Sequence, residues 1–409
     1  MVDPQGNNLL FILSAPRSGS TLLSAILGNH SQILCPPEPW LLLSLYAMRT
    51  PDVMAISHFD SALARQALSE LLDDRLFRNA TNAFAVSAYN ALLGPANKQI
   101  FIDKTPRYYH ILPFLEALFP QARKIWIKRN PLDVIASHKA TLGHAVADLL
   151  GGVVSPHAYD ATLSFVLLSS YFATHAQTQT TVSYEALVQH PVREIQALCQ
   201  QIDLPFEAHM LHYGANHALM QTYGNATMGD KKLLGHTYPH DRSVGRWREV
   251  LTSDEIREIL LTLGRGIFTR LEYDEVFEAA AARVGLQADD VDEQGKLDQL
   301  VQLYASYVNT GFSKAGELQN TVIAGQNMQV HRDGLERAVD QAVRLEVIRD
   351  LQQRLRTAEA DRAARLEVIQ MLQQSLQATE AERDSRLEVI RDLQQRLRTA
   401  EADRDERLE

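Results

Sequence analysis

Leu9-Leu-Phe-Ile-Leu-Ser-Ala-Pro-Arg-Ser-Gly-Ser-Thr-Leu-Leu-Ser-Ala-Ile-Leu27 is the stretch whose reading decides the fold. Leu9 to Leu13 are continuously apolar, the pattern of a short strand buried on both faces. Leu22, Leu23, Ile26 and Leu27 recur at helical spacing. Between them, Ser14 to Thr21 form a turn of small and hydroxyl residues. A strand, a tight loop and a helix start aim several backbone N–H groups at one point, which makes an anion cradle. The spacing is that of a P-loop, but Ser14 stands at the first glycine position and Ser20 replaces the lysine. Arg17 supplies a cation from inside the loop instead, so the expected anion is not the end of a nucleoside triphosphate.

Pro16-Arg-Ser-Gly-Ser-Thr21 after a hydrophobic strand resembles the phosphosulfate-binding loop of sulfotransferases that use 3′-phosphoadenosine 5′-phosphosulfate (PAPS). The resemblance is closest to the tyrosylprotein and bacterial type. It implies an α/β fold of three layers, P-loop-like, around a central parallel sheet. It also implies that Arg17, Ser18, Gly19, Ser20 and Thr21 bind the cosubstrate.

Working outward, Ser31 to Trp40 contains Pro36, Pro37 and Pro39, which forbid a regular helix and hold the segment extended. Glu38 in this rigid loop matches the family's catalytic base; a surface carboxylate between two prolines is the alternative. Residues 41–97 read as mostly helical, with a break at Thr50-Pro51 and a turn at Gly94-Pro95. Ile100 to Ile102 form a second buried strand, and Lys104 lies just past its carboxyl end, where catalytic groups of open α/β sheets gather. The resemblance makes Lys104 a catalytic cation near the sulfate. A solvated Lys104–Asp103 pair, or Arg107 as the cation that matters, are the competing readings.

A third strand, Lys124 to Lys128, leads into Arg129-Asn-Pro-Leu-Asp-Val-Ile-Ala-Ser137. Asn130 followed by Pro131 is an N-cap with a first-turn proline, so a helix starts at once. Arg129 and Ser137, eight residues apart, resemble the family's 3′-phosphate site; an Arg129–Asp133 ion pair is the structural alternative. PAPS bears anions on both sides of its ribose, and two strand ends here offer one site for each. Thr181 to Leu187 looks like a strand entering a helix and is read as structural. His144, His157 and His175 show no metal-ligand spacing and receive no role. Ser243-Val-Gly-Arg-Trp-Arg248 precedes a helix with Ser253 as its expected N-cap, and Arg246 is the candidate lid residue over the nucleotide. The alternative is a basic loop that packs Trp247 into the core.

Composition sets bounds on these readings. The chain has 409 residues, 45% of them hydrophobic, enough for a full core and two domains. A formal net charge of -10 argues against general nucleic-acid or anionic-membrane binding. Cys35 and Cys199 are the two cysteines, so neither a disulfide framework nor a cysteine-rich zinc site is available. The first residues lack a basic leader region, and no uninterrupted run of 18 apolar residues occurs. The expected location is cytoplasmic.

The catalytic domain is expected over residues 1–275, a helical linker over 276–343 and a coiled coil over 344–409. Leu345-Glu-Val-Ile348 returns at Leu366 and again at Leu387, a period of 21 residues or three heptads. Ile348, Leu351 and Leu355 begin an apolar seam that Arg362, Arg383 and Arg404 interrupt. Such a stripe implies self-association or a partner helix. The expected activity is sulfuryl transfer from PAPS to an acceptor hydroxyl, with no metal. An ATP-dependent kinase with a degenerate P-loop, and a coiled-coil scaffold with an inactive domain, are the rival readings.

Overall fold

A computed structural model describes residues 1–48, 61–150, 155–175, 180–226, 229–287, 291–292, 383 and 386–399. The chain divides into two units, Met1–Gly325 and Gln326–Glu409, each treated by itself.

The first unit is built on five parallel strands: β1 (Leu9–Leu13), β2 (Ile33–Leu34), β3 (Ile100–Asp103), β4 (Arg123–Lys128) and β5 (Thr180–Ser183). Their order is β2-β3-β1-β4-β5, with β1 in the centre. Leu10 pairs with Ile102 on one side and Arg123 on the other. All five residues of β1 are buried, as a continuous apolar run requires. Alternation then assigns the two faces: Leu9, Phe11, Leu13, Phe101 and Trp126 enter one core. Leu10, Ile12, Ile102, Ile125 and Ile127 enter the other. Helices cover both, giving the expected three layers.

On the first face lie α2 (Asp74–Leu93), α4 (Leu163–Thr174) and α5 (Ser253–Leu271). The second is covered by α1 (Ser20–Gly28) and by Pro191–Gln201. The helix α3 (Pro131–Leu142) starts directly after β4, with the Asn130 side chain accepting a hydrogen bond from the Leu132 amide. Because β1 and β4 are neighbours, α1 and α3 begin side by side at the carboxyl edge of the sheet.

Two expectations shift. The N-cap of α5 is Thr252, not Ser253; its side chain and Glu255 form a reciprocal capping box, which Ser253 could not make from inside the first turn. The core also continues past residue 275, since Phe277, Ala280 and Ala281 of α6 (Asp274–Arg283) are buried in it, as are Leu286 and Val291. The Thr50-Pro51 break, most of the expected linker and the first two coiled-coil repeats lie outside the described residues. In the second unit, residues 386–399 are helical, with Arg396 paired to Asp392 one turn earlier at 2.9 Å. Among the described residues, no helix is long and apolar enough to cross a membrane.

Candidate active site

A cavity of about 460 Å³ opens where α1 and α3 start. Arg17, Gly19, Ser20, Thr21, Glu38, Arg129, Ser137 and Arg246 line it, so most of the residues chosen from sequence meet in one place. Ser18 is buried behind them, its amide bonded to the Ala15 carbonyl.

The cradle depends on one glycine. Gly19 adopts a φ of 90°, and a Cβ there would overlap the Tyr184 ring. The left-handed turn lets α1 begin at Ser20 without a side-chain cap. The first helical bond runs from the Leu23 amide to the Gly19 carbonyl, so the N–H groups of Ser20, Thr21 and Leu22 precede it and point outward.

Glu38 has a φ of 35° and Trp40 one of 55°, unusual for residues with side chains. Strain of this kind costs on the order of 1–3 kcal/mol per residue and persists only where surroundings enforce it. Here the Trp40 amide donates to Thr105 Oγ1 at 3.2 Å, and the indole N–H to Glu38 Oε2 at 3.2 Å. The strained turn aims the carboxylate inward, where Lys104 Nζ meets Glu38 Oε1 at 2.8 Å and donates to Thr21 Oγ1 at 3.3 Å. Lys104 is fully buried, so it is no solvated loop residue. Its neighbour Asp103 turns the other way and accepts from Tyr89, Tyr108 and Thr105. Burial pushes the Asp103 carboxyl up to about 6, against those hydrogen bonds. Arg107 is committed to Asp160, which takes its Nε and Nη2 together.

At the other end, Arg129 donates to the carbonyls of Arg17 (2.8 Å) and Ser243 (2.6 Å). Its guanidinium lies 4.3 Å from the Tyr184 ring centroid, and its Nε is buried without a partner. The Arg129–Asp133 ion pair is not formed: Asp133 accepts the amides of Gly245 and Trp247 instead. Those bonds tie the 243–247 loop to the start of α3. Trp247 is in the core, as the structural alternative had it, while Arg246 still faces the cavity. The Arg17 side chain crosses to this end, donating to Ser137 Oγ at 3.2 Å and pairing with Asp230 at 2.9 Å.

Sequence reasoning missed several residues of this cavity. Tyr184, taken as structural, lies directly past the end of β5 and packs against both Gly19 and Arg129; its strand-end position was the available signal. Asp230, Lys232, His236 and His240 also line the cavity, from a segment with no motif to mark it. His138 and His157 face it too, and burial pushes the His138 imidazole down to about 3.

The site thus joins two neighbouring strand ends, each with a basic side chain, to a buried lysine–glutamate pair past β3, a layout suited to group transfer. A model of the sulfotransferase family matches residues 10–208. Nodulation protein NoeE of Sinorhizobium fredii is 32% identical over 289 residues, which is 66% of this chain and 67% of that protein. Protein-tyrosine sulfotransferase 1 of Danio rerio is 26% identical over 212 residues, covering 50% of this chain and 56% of the relative. Among solved structures, the sulfotransferase domain from the curacin biosynthetic pathway aligns over 64% of this chain and 97% of its own, at 24% identity and a TM-score of 0.44. The chain belongs to the sulfotransferase family and is an enzyme. That membership favours neither the kinase nor the inert scaffold.

Proposed function

We propose that this protein moves a sulfuryl group from PAPS to an acceptor hydroxyl, with Glu38 as base, Lys104 and Arg17 as cations, and the two anionic ends of the nucleotide divided between the starts of α1 and α3. The observation that carries the reading is the contact between the two ends: an Arg129 guanidinium bonded to the Arg17 carbonyl puts both within reach of one adenosine ligand. The amides of Ser20 to Leu22, with Ser18 and Gly19 shaping the turn, meet the phosphosulfate. Arg129, Ser137 and Arg246 receive the 3′-phosphate, Arg129 through a guanidinium that hydrogen-bonds no carboxylate among the described residues.

In the transfer, the bond from sulfur to the bridging phosphate oxygen breaks as the acceptor oxygen bonds to sulfur. Glu38 takes the acceptor proton. Lys104, placed between Glu38 and Thr21, balances the charge that grows on the departing oxygen of adenosine 3′,5′-bisphosphate. A buried ammonium fixed in advance needs no solvent reorganisation during this step. No residue of the scheme calls for a metal.

A thermal-shift and calorimetric titration tests the reading. Adenosine 3′,5′-bisphosphate should stabilise the protein in the absence of Mg²⁺ and ATP with Mg²⁺ should not; the reverse order would overturn it. Comparing metabolites and proteins in cells with and without the enzyme, by an untargeted search for a sulfated product, then supplies the acceptor.

The tail supports a second proposal, that this chain self-associates through its repeats. Ile390, Leu393 and Leu397 are exposed on one side of the helix over 386–399, continuing the apolar seam.

A further inference from the structure

His138, His144 and His157 are separated by 6 and 13 residues along the chain, a spacing that matches no metal motif, yet the fold gathers them. One ring nitrogen from each lies within 4.8 Å of the others. His138 projects from α3 and is 1% exposed, and neither of its ring nitrogens has a hydrogen-bond partner. A buried polar atom left unpaired is costly, so a ring with two of them calls for a ligand. His144 follows Gly143, whose left-handed φ of 74° ends α3 and turns the chain back. His157 stands on the short helix Pro156–Ala161, with a buried Nδ1 that makes no hydrogen bond. The rings of His144 and His157 are 4.1 Å apart, centroid to centroid.

We propose that these three imidazoles form a binding site for a divalent transition-metal ion of the zinc type, set in the wall of the cavity next to Ser137. Three nitrogen donors without a thiolate or a carboxylate cluster suit Zn²⁺, Co²⁺ or Ni²⁺ and disfavour Mg²⁺ and Ca²⁺. Zinc–nitrogen bonds of about 2.0–2.1 Å imply nitrogens roughly 3.4 Å apart in a tetrahedral set, so small ring rotations close the cluster. His144 and His157, both only half-buried, have the freedom to make them.

The surrounding charges permit a cation. Arg17 is neutralised by Asp230, and Arg107 by Asp160. The Asp160 carboxylate also lies 3.8 Å from His157 Nδ1, so a negative charge stands beside the cluster. Lys139, next to His138 in sequence, is held by Glu255. Three histidines leave one tetrahedral position for an outside ligand. His138 and His157 line the cavity, so an oxygen of the bound acceptor is the natural occupant. The transfer described above runs without this ion, and the inference does not rest on it.

The test uses the full chain, untagged and stripped with a chelator, titrated with Zn²⁺ against a chromophoric competitor and separately with Co²⁺. One equivalent should bind, with the visible absorption of four-coordinate cobalt. His144→Ala and His157→Ala should each weaken Zn²⁺ by about 100-fold or more, while His236→Ala, in the histidine pair across the cavity, should leave it unchanged. Thermal midpoints without metal establish that the variants fold; His144→Ala, being away from the core, serves if His157→Ala does not. Loss of the zinc equivalent in His236→Ala, full retention of it in His144→Ala, or failure of the parent chain to bind any equivalent would overturn the assignment.

Discussion

The two cationic ends of the cavity are built on opposite plans. Lys104 is sealed from water and meets a side chain, Glu38, whose own backbone is held in a strained turn. Arg129 is gripped by main-chain carbonyls from two separate loops, and its charge is left for a visitor. The first arrangement stores a proton acceptor and an ammonium in contact, ready to part when charge develops between them. The second fixes a fork in space and changes little. On the proposed reading, chemistry and recognition sit at different strand ends, and substitutions at the two should fail in different ways.

The sharpest probe of that contrast is Glu38→Gln. Transfer to the acceptor should fall by about 10²–10⁴-fold, while calorimetry finds the affinity for adenosine 3′,5′-bisphosphate within a few-fold of the parent; a joint loss would mean that the strained turn, not the carboxylate, is what matters.

Next in size is the carboxyl behind Lys104. Asp103 ordinarily titrates at 3.8 and in the fold near about 6. Between those values the folded chain keeps a proton that the unfolded chain has lost. Its contribution to stability is complete below about 3.8 and is gone once the pH passes about 6, a change on the order of 3 kcal/mol. Asp103→Asn should flatten that decline in denaturant titrations run from about pH 4 to pH 7; an unchanged slope would show that other groups set it.

At the recognition end, Arg129→Ala should weaken the bisphosphate by roughly 30-fold, the loss of about 2 kcal/mol from a charged hydrogen bond. It should lower the thermal midpoint as well, because two loops lose their tie. Ser137→Ala should cost roughly 3–10-fold in affinity with the midpoint unmoved. Equal effects on both variants would erase the distinction between grip and scaffold. The smallest expected effect lies in the other unit: ending the chain at residue 343 should leave bisphosphate affinity within about twofold while analytical ultracentrifugation reports a smaller particle.

The parts of this molecule readable in the sequence were those governed by local rules. A continuous apolar run fixed β1, and Asn130-Pro131 announced the start of α3. Gly19 stood out only as a member of the loop; its left-handed φ of 90° is a property of the fold. Glu38 and Lys104 could be named separately from loop position, but their contact spans 66 residues and follows from β2 lying beside β3. Tyr184 was passed over because a tyrosine after a strand packs well in any fold; its place against Gly19 arises from the packing of β5 beside β4. His144 and His157 received no role for the same reason in reverse, and His138 drew no notice at all. Ligand spacing in sequence describes ligands on one element, whereas His138, His144 and His157 come from a helix, a turn and a second helix. Thr252 outcompeted Ser253 as N-cap because only it sits three residues before a glutamate.

One guanidinium mortars the Arg17 turn to the loop that begins at Ser243. An engineer who wished to retrain this scaffold for a different nucleotide would find position 129 closed, since any replacement there unpicks masonry along with specificity. Arg246, which faces the same void, is the place where selectivity can be rewritten while the building stands.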